Sequence, residues 1–419
     1  MVRPLTETTN TSANCWLHDR VLALHLASIF PTTKSNAGTT TRRCSPMKCC
    51  CSNWSTRMPK QCNGRVTARL MTLPVLPMRR LARAWKCVRS HSSPILEETK
   101  RRDSVHTLIT GAGGFVGSAL IEHLLRDAGP DDRILASDLA FHKSPVDPRV
   151  QHVVGGLTER KVLEQLLSRP ADTVFHLATV AGRQSVDDFA LGKATNLDAT
   201  IELLEGIRRQ GHCPRFVFAS SAAVFSSPWP VEINDATLPN PGISYATHKL
   251  VCEHLINDYS RAGFLDGLAL RLPGIIARPA GSQTMLSAFL SDVFYAARAH
   301  QPFILPMAAD AGTWVMSVKA CVENLAHAAR FTGELPARRN WTLPALYVQM
   351  QALIDALAEF YGEHVHRLIT CEGNSAVEAI FRQPPLTAEG ARQLGFIGDD
   401  SVQMLIQNVI SANPALTLG

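Results

Sequence analysis

The stretch Leu-Ile-Thr-Gly-Ala-Gly-Gly-Phe-Val-Gly, residues 108–117, decides the fold of this chain. It begins as a short apolar strand and then places glycines at every third position. An apolar helix is predicted to follow directly, over residues 117–126. In such a turn Gly111 lets the chain leave the strand sharply, Gly114 lets the backbone approach a phosphate, and Gly117 lets the helix pack closely on the sheet. The free N–H groups and the positive dipole end of the helix then favour a bound anion.

Short apolar strands alternate with helical segments after residue 103. Strands are predicted over residues 106–109, 133–138, 150–154, 173–177, 215–219 and 268–272. Helices are predicted over residues 117–126, 159–168, 196–210 and 245–262, and further on over residues 348–361 and 401–410. This order predicts an α/β fold, a doubly wound parallel sheet covered by helices on both faces. Ligands of such sheets bind outside the carboxyl ends of the strands.

An acidic residue extends the glycine motif. Asp138 ends the second predicted strand, 27 residues after Gly111. A carboxylate there can accept both ribose hydroxyls of an adenosine and repels a 2′-phosphate, and no arginine follows at residues 139–140 to hold such a phosphate. The combination predicts a Rossmann-type domain that binds NAD in preference to NADP. The alternatives are a tight turn without a ligand and an ordinary surface acid at a strand end.

A serine, a tyrosine and a lysine form the candidate catalytic set. Ser221 follows the fifth predicted strand, and Tyr245 and Lys249 share one face of a later helix because they are four residues apart. A cation near a phenol favours the phenolate, which can take the proton of a substrate alcohol. Ser221 would stabilise charge on the same oxygen. The spacing alone is also compatible with an ordinary amphipathic helix.

These residues occur together in a known family. The chain resembles the extended short-chain dehydrogenase/reductase family, which also contains NAD-dependent sugar epimerases and dehydratases, over roughly residues 104–412. The matching motifs are Thr-Gly-x-x-Gly-x-x-Gly at 110–117, Phe-His-Leu-Ala at 175–178, Asn196, Ser221, and Tyr245 with Lys249. Longer stretches resemble the sugar-acid dehydrogenases of that family, at residues 188–198, 214–225, 257–267, 270–273 and 314–317.

The resemblance implies an NAD-dependent dehydrogenase that oxidises the C2 hydroxyl of a four-carbon sugar acid to the 2-oxo acid. Tyr245 would be the general base, Lys249 would lower its pKa and hold the nicotinamide ribose, and Ser221 would bind the reacting oxygen. Asn196 would stabilise the helix on the proton-relay side of the site. The implied cofactor site consists of Gly111, Gly114, Phe115, Val116, Gly117, Asp138, Leu157, Leu177, Ala178, Asn196, Tyr245, Lys249 and Pro273.

Some positions depart from the family pattern and leave other activities open. Gly156 stands in the segment where relatives often carry an acid that contacts the adenine, and Gly274 stands where related sugar-acid dehydrogenases carry threonine. The alternative enzyme is a nucleotide-sugar epimerase or dehydratase, although no asparagine follows the sixth strand to hold a diphosphate. A further alternative is a non-catalytic dinucleotide-binding regulator of the same fold, although such proteins usually lose the tyrosine or the lysine.

The region after residue 276 is expected to shape the substrate pocket. Arg278, Ser282, Gln283 and Thr284 follow the sixth strand and could meet a carboxylate. Arg278 and Arg183 are the candidates for holding the acid group of the substrate, because a guanidinium matches a carboxylate with two parallel hydrogen bonds. No metal site is predicted, since the cysteine run at residues 49–51 lacks zinc-ligand spacing.

The first 96 residues differ in composition from the rest. They hold 15 Lys and Arg against two acids, whereas the remaining residues hold 27 against 34. Seven of the 11 cysteines also lie there. The interpretations are a disordered tail, an organelle transit peptide, or upstream sequence that is not translated. We therefore expect a basic, cysteine-rich extension over 1–102, an NAD-binding domain over 103–276, and a substrate-binding and cap region over 277–419.

The partners expected are a small sugar-acid substrate and a second copy of the chain. Enzymes of this fold commonly pair through two long helices, which here correspond to residues 196–210 and 245–262. Neither nucleic acid nor a membrane is expected as a partner. The predicted location is cytoplasmic, or organellar if residues 1–96 are a transit peptide.

Overall fold

The computed structural model describes residues 104–142, 145–279 and 287–417. All of them belong to one compact unit. The β-strands of these residues are β1 His106–Thr110, β2 Arg133–Asp138, β3 Val150–Val154, β4 Thr173–His176, β5 Arg215–Ser221, β6 Asp266–Leu272, β7 Gly274–Ile276, β8 Phe303–Leu305, β9 Gly312–Ser317, β10 Asn340–Thr342, β11 Leu346–Gln349 and β12 Ile369–Cys371. The predicted extension over 1–102 lies outside the described residues.

Helices separate most of these strands. The α-helices are α1 Phe115–Asp127, α2 Arg160–Leu166, α3 Gly182–Asp187, α4 Phe189–Lys193, α5 Ala199–Gln210, α6 Ser244–Arg261, α7 Phe289–Ala299, α8 Val318–Arg330, α9 Met350–Tyr361, α10 Val365–Leu368, α11 Ser375–Phe381, α12 Glu389–Gln393 and α13 Val402–Ala412. A π-helical turn, Ala194–Asp198, leads into α5, and short 3-10 turns lie at Ala222–Val224 and Pro414–Leu416. Within the described ranges, no helix is both long and apolar enough to cross a membrane.

The central sheet has seven strands in the order β10-β6-β5-β4-β1-β2-β3, and every neighbouring pair is parallel. Parallel strands place all their carboxyl ends at one edge, so the residues that follow β1, β2, β4, β5 and β6 come together there. A second sheet of β11, β9 and β7 and a pair of β12 with β8 lie further along the chain.

Successive strand residues are buried on opposite faces of the central sheet. Ile109 belongs to the hydrophobic cluster that includes residues of α1 and α8. Its neighbour Leu108 belongs to the cluster that includes residues of α2, α5 and α6. A third cluster joins α7, α9 and α13 in the C-terminal part. Because both faces are covered, the strands read as continuous apolar runs, and the predicted α/β fold with a doubly wound parallel sheet is confirmed.

The six strands predicted in the sheet are present, with small shifts at their ends. The seventh strand, β10, was not predicted, because it has only three residues and comes 68 positions after β6 ends. The predicted helix over residues 348–361 begins only at Met350, since Leu346–Gln349 pairs with β9 as β11. The sequence division at residue 276 stays a prediction, although β10 adds one later strand to the sheet.

A buried ion pair joins α6 to the sheet. Arg271 on β6 donates from Nε and Nη2 to the two carboxylate oxygens of Glu253 on α6, at 2.9 and 2.7 Å. The side-chain exposures are 2% for Arg271 and 0% for Glu253. Ser220 Oγ on β5 donates to the same carboxylate at 2.5 Å, and Asn340 Nδ2 on β10 donates at 3.0 Å. One carboxylate therefore connects α6 with three neighbouring strands.

Removing the charge of Glu253 should destabilise the protein strongly. Glu253→Gln leaves the Arg271 guanidinium buried without its counter-charge, which costs about 3–5 kcal/mol of unfolding free energy. Urea unfolding measures this loss. The control is Asp258→Asn on the same helix, because the Asp258–Arg261 pair is solvent-exposed and should contribute little. Equal effects of the two substitutions would contradict a structural role for the buried pair.

Candidate active site

The glycine turn after β1 has the geometry that the sequence predicts. Gly111 has a φ of +73°, and a Cβ there would lie 2.5 Å from the backbone nitrogen of Ala178. A Cβ on Gly117 would lie 2.1 Å from the carbonyl oxygen of Gly111. A Cβ on Gly114 would meet, among described residues, only that same carbonyl oxygen, at 3.3 Å. The side of the turn above Gly114 therefore stays open, which fits a phosphate approaching the first N–H groups of α1.

Asp138 also holds the glycine turn in place. The N–H of Gly113 donates to its Oδ2 at 2.9 Å, and the N–H of Leu139 donates to its Oδ1 at 2.7 Å. The sequence pattern predicts only the ribose contact. A carboxylate has about four acceptor positions, so both oxygens can still accept from ribose hydroxyls. The same side chain can thus fix the turn and contact a nucleotide.

A buried chain of hydrogen bonds connects β1, β4 and α5. Thr110 Oγ1 lies 2.6 Å from His176 Nδ1, and His176 Nε2 lies 2.8 Å from Thr200 Oγ1. Thr200 donates its hydroxyl proton to the carbonyl of Asn196 at 2.9 Å. Its oxygen must therefore accept from the Nε2–H of His176. In a neutral imidazole, Nδ1 is then the acceptor for the hydroxyl of Thr110. Burial, and then the positive charge of Lys249, lower the pKa of His176 to about 3.

Asn196 links the π-helical turn to the loop after β4. Its Oδ1 accepts from the N–H of Val180 at 2.7 Å and from Thr179 Oγ1 at 3.0 Å, and its Nδ2 donates to the carbonyl of Val180 at 3.1 Å. The amide oxygen of Asn196 thus accepts two hydrogen bonds, and together the three bonds fix the loop after β4. The role expected of Asn196 in stabilising the helix and its contact with a cofactor both stay predictions.

The three candidate catalytic side chains meet beside the end of β5. Ser221 is the last residue of β5, and its hydroxyl lies close enough to the phenol of Tyr245, on the first turn of α6, to lower the pKa of that phenol. Lys249 lies one turn further along α6 and is 2% exposed. Its Nζ donates to the carbonyl of Ala219 at 2.7 Å and lies 5.7 Å from the centre of the Tyr245 ring.

The pKa of Tyr245 responds to groups other than the predicted lysine. Burial raises the pKa of Tyr245, whereas the hydrogen bond with Ser221 and the positive charge of Arg278 lower it to a smaller extent. Burial also lowers the pKa of Lys249 to about 8, against smaller opposing effects of Cys252 and Glu253. The lowering of the Tyr245 pKa by Lys249 stays a prediction.

The two candidate arginines have different surroundings. Arg278 follows β7, its charge acts on Tyr245, and its guanidinium carbon lies 5.7 Å from the centre of the Phe115 ring at the start of α1. Arg183 pairs with Asp187 on α3 at 2.8 Å, and its side chain is 57% exposed. The contact of Arg183 with a substrate stays a prediction. The other suggested residues, Ser282, Gln283 and Thr284, lie outside the described residues.

The remaining predicted cofactor residues are distributed along the carboxyl edge of the sheet. Each of them lies within three residues after the end of a strand or begins the helix that follows one. They are Phe115 and Val116 at the start of α1, Leu157 after β3, Leu177 and Ala178 after β4, and Pro273 between β6 and β7. Their placement is the one that a dinucleotide along this edge requires, and their individual roles stay predictions.

A family model and two curated relatives assign the chain to the same family. The sequence model of the NAD dependent epimerase/dehydratase family matches residues 107–312. The D-erythronate dehydrogenase of Cupriavidus necator is 37% identical over 314 residues, which cover 72% of this chain and 97% of that protein. The D-erythronate dehydrogenase of Haemophilus influenzae is 33% identical over 310 residues, which cover 72% of this chain and 98% of that protein.

A solved structure supports the same relationship. The nucleoside-diphosphate-sugar epimerase from Agrobacterium tumefaciens superimposes with a TM-score of 0.72 at 32% sequence identity, covering 78% of this chain and all of that one. The chain belongs to the NAD-dependent epimerase/dehydratase family. Within it, the chain is an NAD-dependent dehydrogenase with NAD as cofactor, similar to D-erythronate dehydrogenases, as the sequence motifs predict.

The buried histidine should make the stability of the fold depend on pH. Because folding lowers the pKa of His176 from 6.5 to about 3, its contribution is complete above pH 6.5 and is lost as the pH falls towards 3. In this window the wild type should lose about 1.4 kcal/mol per pH unit relative to His176→Gln, which cannot ionise. Urea unfolding between pH ~7 and ~5 measures the difference. Parallel pH profiles would contradict a neutral buried His176, and exposed His254→Gln is the control.

Proposed function

We propose that the chain oxidises the C2 hydroxyl of D-erythronate, or of a closely related four-carbon sugar acid, to the 2-oxo acid with NAD. The observation that carries this proposal is the meeting of three groups at one point. The Ser221 hydroxyl and the charge of the Arg278 guanidinium both act on the phenol of Tyr245 and lower its pKa. A base, an oxygen-binding hydroxyl and a cation for a carboxylate are the groups that this reaction needs.

The cofactor would lie along the carboxyl edge of the sheet. The first N–H groups of α1 would hold its phosphates, since they have no acceptor within the helix, and Asp138 would hold the adenosine ribose. The open side of Gly114 and the remaining acceptor positions of Asp138 support this placement. When bound, NAD accepts the hydride that leaves C2 of the substrate.

The side chains of the site would accept the proton of the substrate hydroxyl and stabilise the charge that develops on its oxygen. Tyr245 takes the proton of the C2 hydroxyl, and Ser221 donates a hydrogen bond to the oxygen as it becomes a carbonyl. Burial favours the neutral phenol, and the charge of Arg278 opposes this effect to a smaller extent. The positive charge of Lys249 would add to the stabilisation of the phenolate. Lys249 is already fixed by its bond to the carbonyl of Ala219.

Arg278 is the better supported anchor for the substrate carboxylate. Desolvation lowers its pKa, and the attraction of Tyr245 partly compensates, so the guanidinium is a partly buried cation next to the base. If two parallel hydrogen bonds hold the carboxylate of the substrate there, C2 is the next carbon. Its hydroxyl would then lie beside the phenol of Tyr245. Arg183 is the second candidate, although it already pairs with Asp187.

A second candidate function is a nucleotide-sugar epimerase. The observation that favours it is the name of the Agrobacterium structure, which is 32% identical. The two activities separate in a simple assay, because epimerisation of a UDP-sugar gives no net NADH, whereas oxidation of a sugar acid does. A regulator of the same fold would bind NAD and turn over neither substrate.

Two further expectations stay predictions. They are the pairing of two chains into a homodimer through α5 and α6, and a cytoplasmic location.

Removing the phenol hydroxyl should abolish turnover without loss of NAD binding. Tyr245→Phe is expected to lower kcat for D-erythronate by at least about 100-fold, because the base that takes the C2 hydroxyl proton is gone. NADH absorbance measures the rate, and a separate titration measures the Kd for NAD. Tyr259→Phe is the control, since Tyr259 lies on the same helix and bonds to Glu205 on α5. Wild-type kcat in Tyr245→Phe would contradict the proposal.

A further inference from the structure

The main chain of Arg278 is held on both sides by one face of α7. Its N–H donates to Ser291 Oγ at 3.0 Å, and its carbonyl accepts from the Tyr295 hydroxyl at 3.0 Å. Ser291 and Tyr295 are four residues apart on α7 and therefore point the same way. Ser291 is 3% exposed, and its contact with the Arg278 N–H is partly buried. The backbone that carries the guanidinium is fixed by two side chains that do not themselves belong to the catalytic set.

The hydroxyl of Tyr295 is itself oriented by the C-terminal turn. Asn413 Nδ2 donates to it at 2.7 Å, so the phenol oxygen accepts from Asn413 and gives its own proton to Arg278. Asn413 Oδ1 meanwhile accepts from the N–H of Ala415 at 3.2 Å and caps the last 3-10 turn. The amide oxygen of Asn413 thus caps the turn, and its amide nitrogen is the atom that bonds to Tyr295.

The guanidinium of Arg278 depends on this support more than a surface arginine would. An arginine side chain has many rotamers, and ordering it for a two-pronged contact costs conformational entropy. The Arg278 side chain packs over Phe115 and lies near Tyr245. The position of the Arg278 main chain therefore sets the position of its guanidinium. A displacement of the main chain by a fraction of an ångström is enough to weaken a bidentate contact.

We infer that Tyr295, oriented by Asn413, is a positioning residue that sets the Arg278 guanidinium for recognition of the substrate carboxylate. This inference rests on the proposed function, in which Arg278 binds the acid group. It assigns the 3-10 turn at Pro414–Leu416 a part in substrate selection. The hydrogen bonds from Asn413 to Tyr295 and from Tyr295 to Arg278 connect this turn to the guanidinium beside Tyr245.

The first test removes the hydroxyl and compares two substrates. Tyr295→Phe is expected to raise KM for D-erythronate about five- to tenfold, the effect of one orienting hydrogen bond, with kcat within about twofold of wild type and an unchanged Kd for NAD. D-Erythronamide, which lacks the carboxylate charge, should show no such rise in KM. A loss that is merely structural would affect both substrates equally.

A second variant breaks the same bond without removing the tyrosine. Asn413→Asp keeps the oxygen that caps Ala415 but replaces the amide donor by a carboxylate oxygen, which attracts the phenol proton away from Arg278. The same selective rise in KM for D-erythronate is expected. Tyr361→Phe is the matched control, because Tyr361 donates to the carbonyl of Leu416 in the same turn at 2.8 Å but makes no bond to Arg278.

Arg278→Lys separates failure of the inference from failure of the proposed function. If Arg278→Lys raises KM for D-erythronate while Tyr295→Phe and Asn413→Asp both leave it at the wild-type value, the positioning role is wrong and the carboxylate anchor stands. If Arg278→Lys leaves KM unchanged, the anchor itself is wrong and the inference is overturned with it. Selective rises in all three variants, with Tyr361→Phe at the wild-type value, support the inference.

Discussion

A neutral histidine that is completely buried holds the parts of this site in register. Through its two ring nitrogens His176 connects Thr110, which directly precedes the glycine turn, with Thr200, which bonds to Asn196. Burial and the nearby charge of Lys249 lower the pKa of His176 to about 3, so the imidazole is neutral at ordinary pH and its Nδ1 accepts from Thr110. The glycine turn, the loop after β4 and the helix after Asn196 therefore depend on one protonation state that the buried surroundings impose.

The two sides of the site are supported in different ways. On the sheet side, the Glu253 carboxylate joins α6, which carries Tyr245 and Lys249, to the strands beside it. On the other side, Arg278 is held through its main chain by α7 and the C-terminal turn. The base and the proposed substrate anchor thus belong to separately stabilised parts of the fold. Changes in the C-terminal part can alter the fit of a substrate while the cofactor turn stays intact.

The sequence predicts what depends on local pattern. The strands, the glycine turn and the spacing of Tyr245 and Lys249 follow from periodicity and from a motif with a known physical purpose, and the family and cofactor are confirmed. The second task of Asp138, the pairing of Glu253 with Arg271 and the bonds of Arg278 to α7 could not be predicted. These contacts join residues that only the tertiary fold brings together, and their side chains are common ones with no distinctive spacing.

In the proposed reaction, the hydrogen on C2 of the sugar acid is the one transferred to NAD. The most direct measurement supplies wild-type enzyme and NAD with D-erythronate deuterated at C2 or, as the control, at C3, and determines by mass spectrometry whether the NADH contains deuterium. Hydride transfer from C2 should give deuterium in NADH from the C2-labelled acid and none from the C3-labelled acid. NADH labelled from C3, or unlabelled NADH formed from the C2-labelled acid, would contradict it.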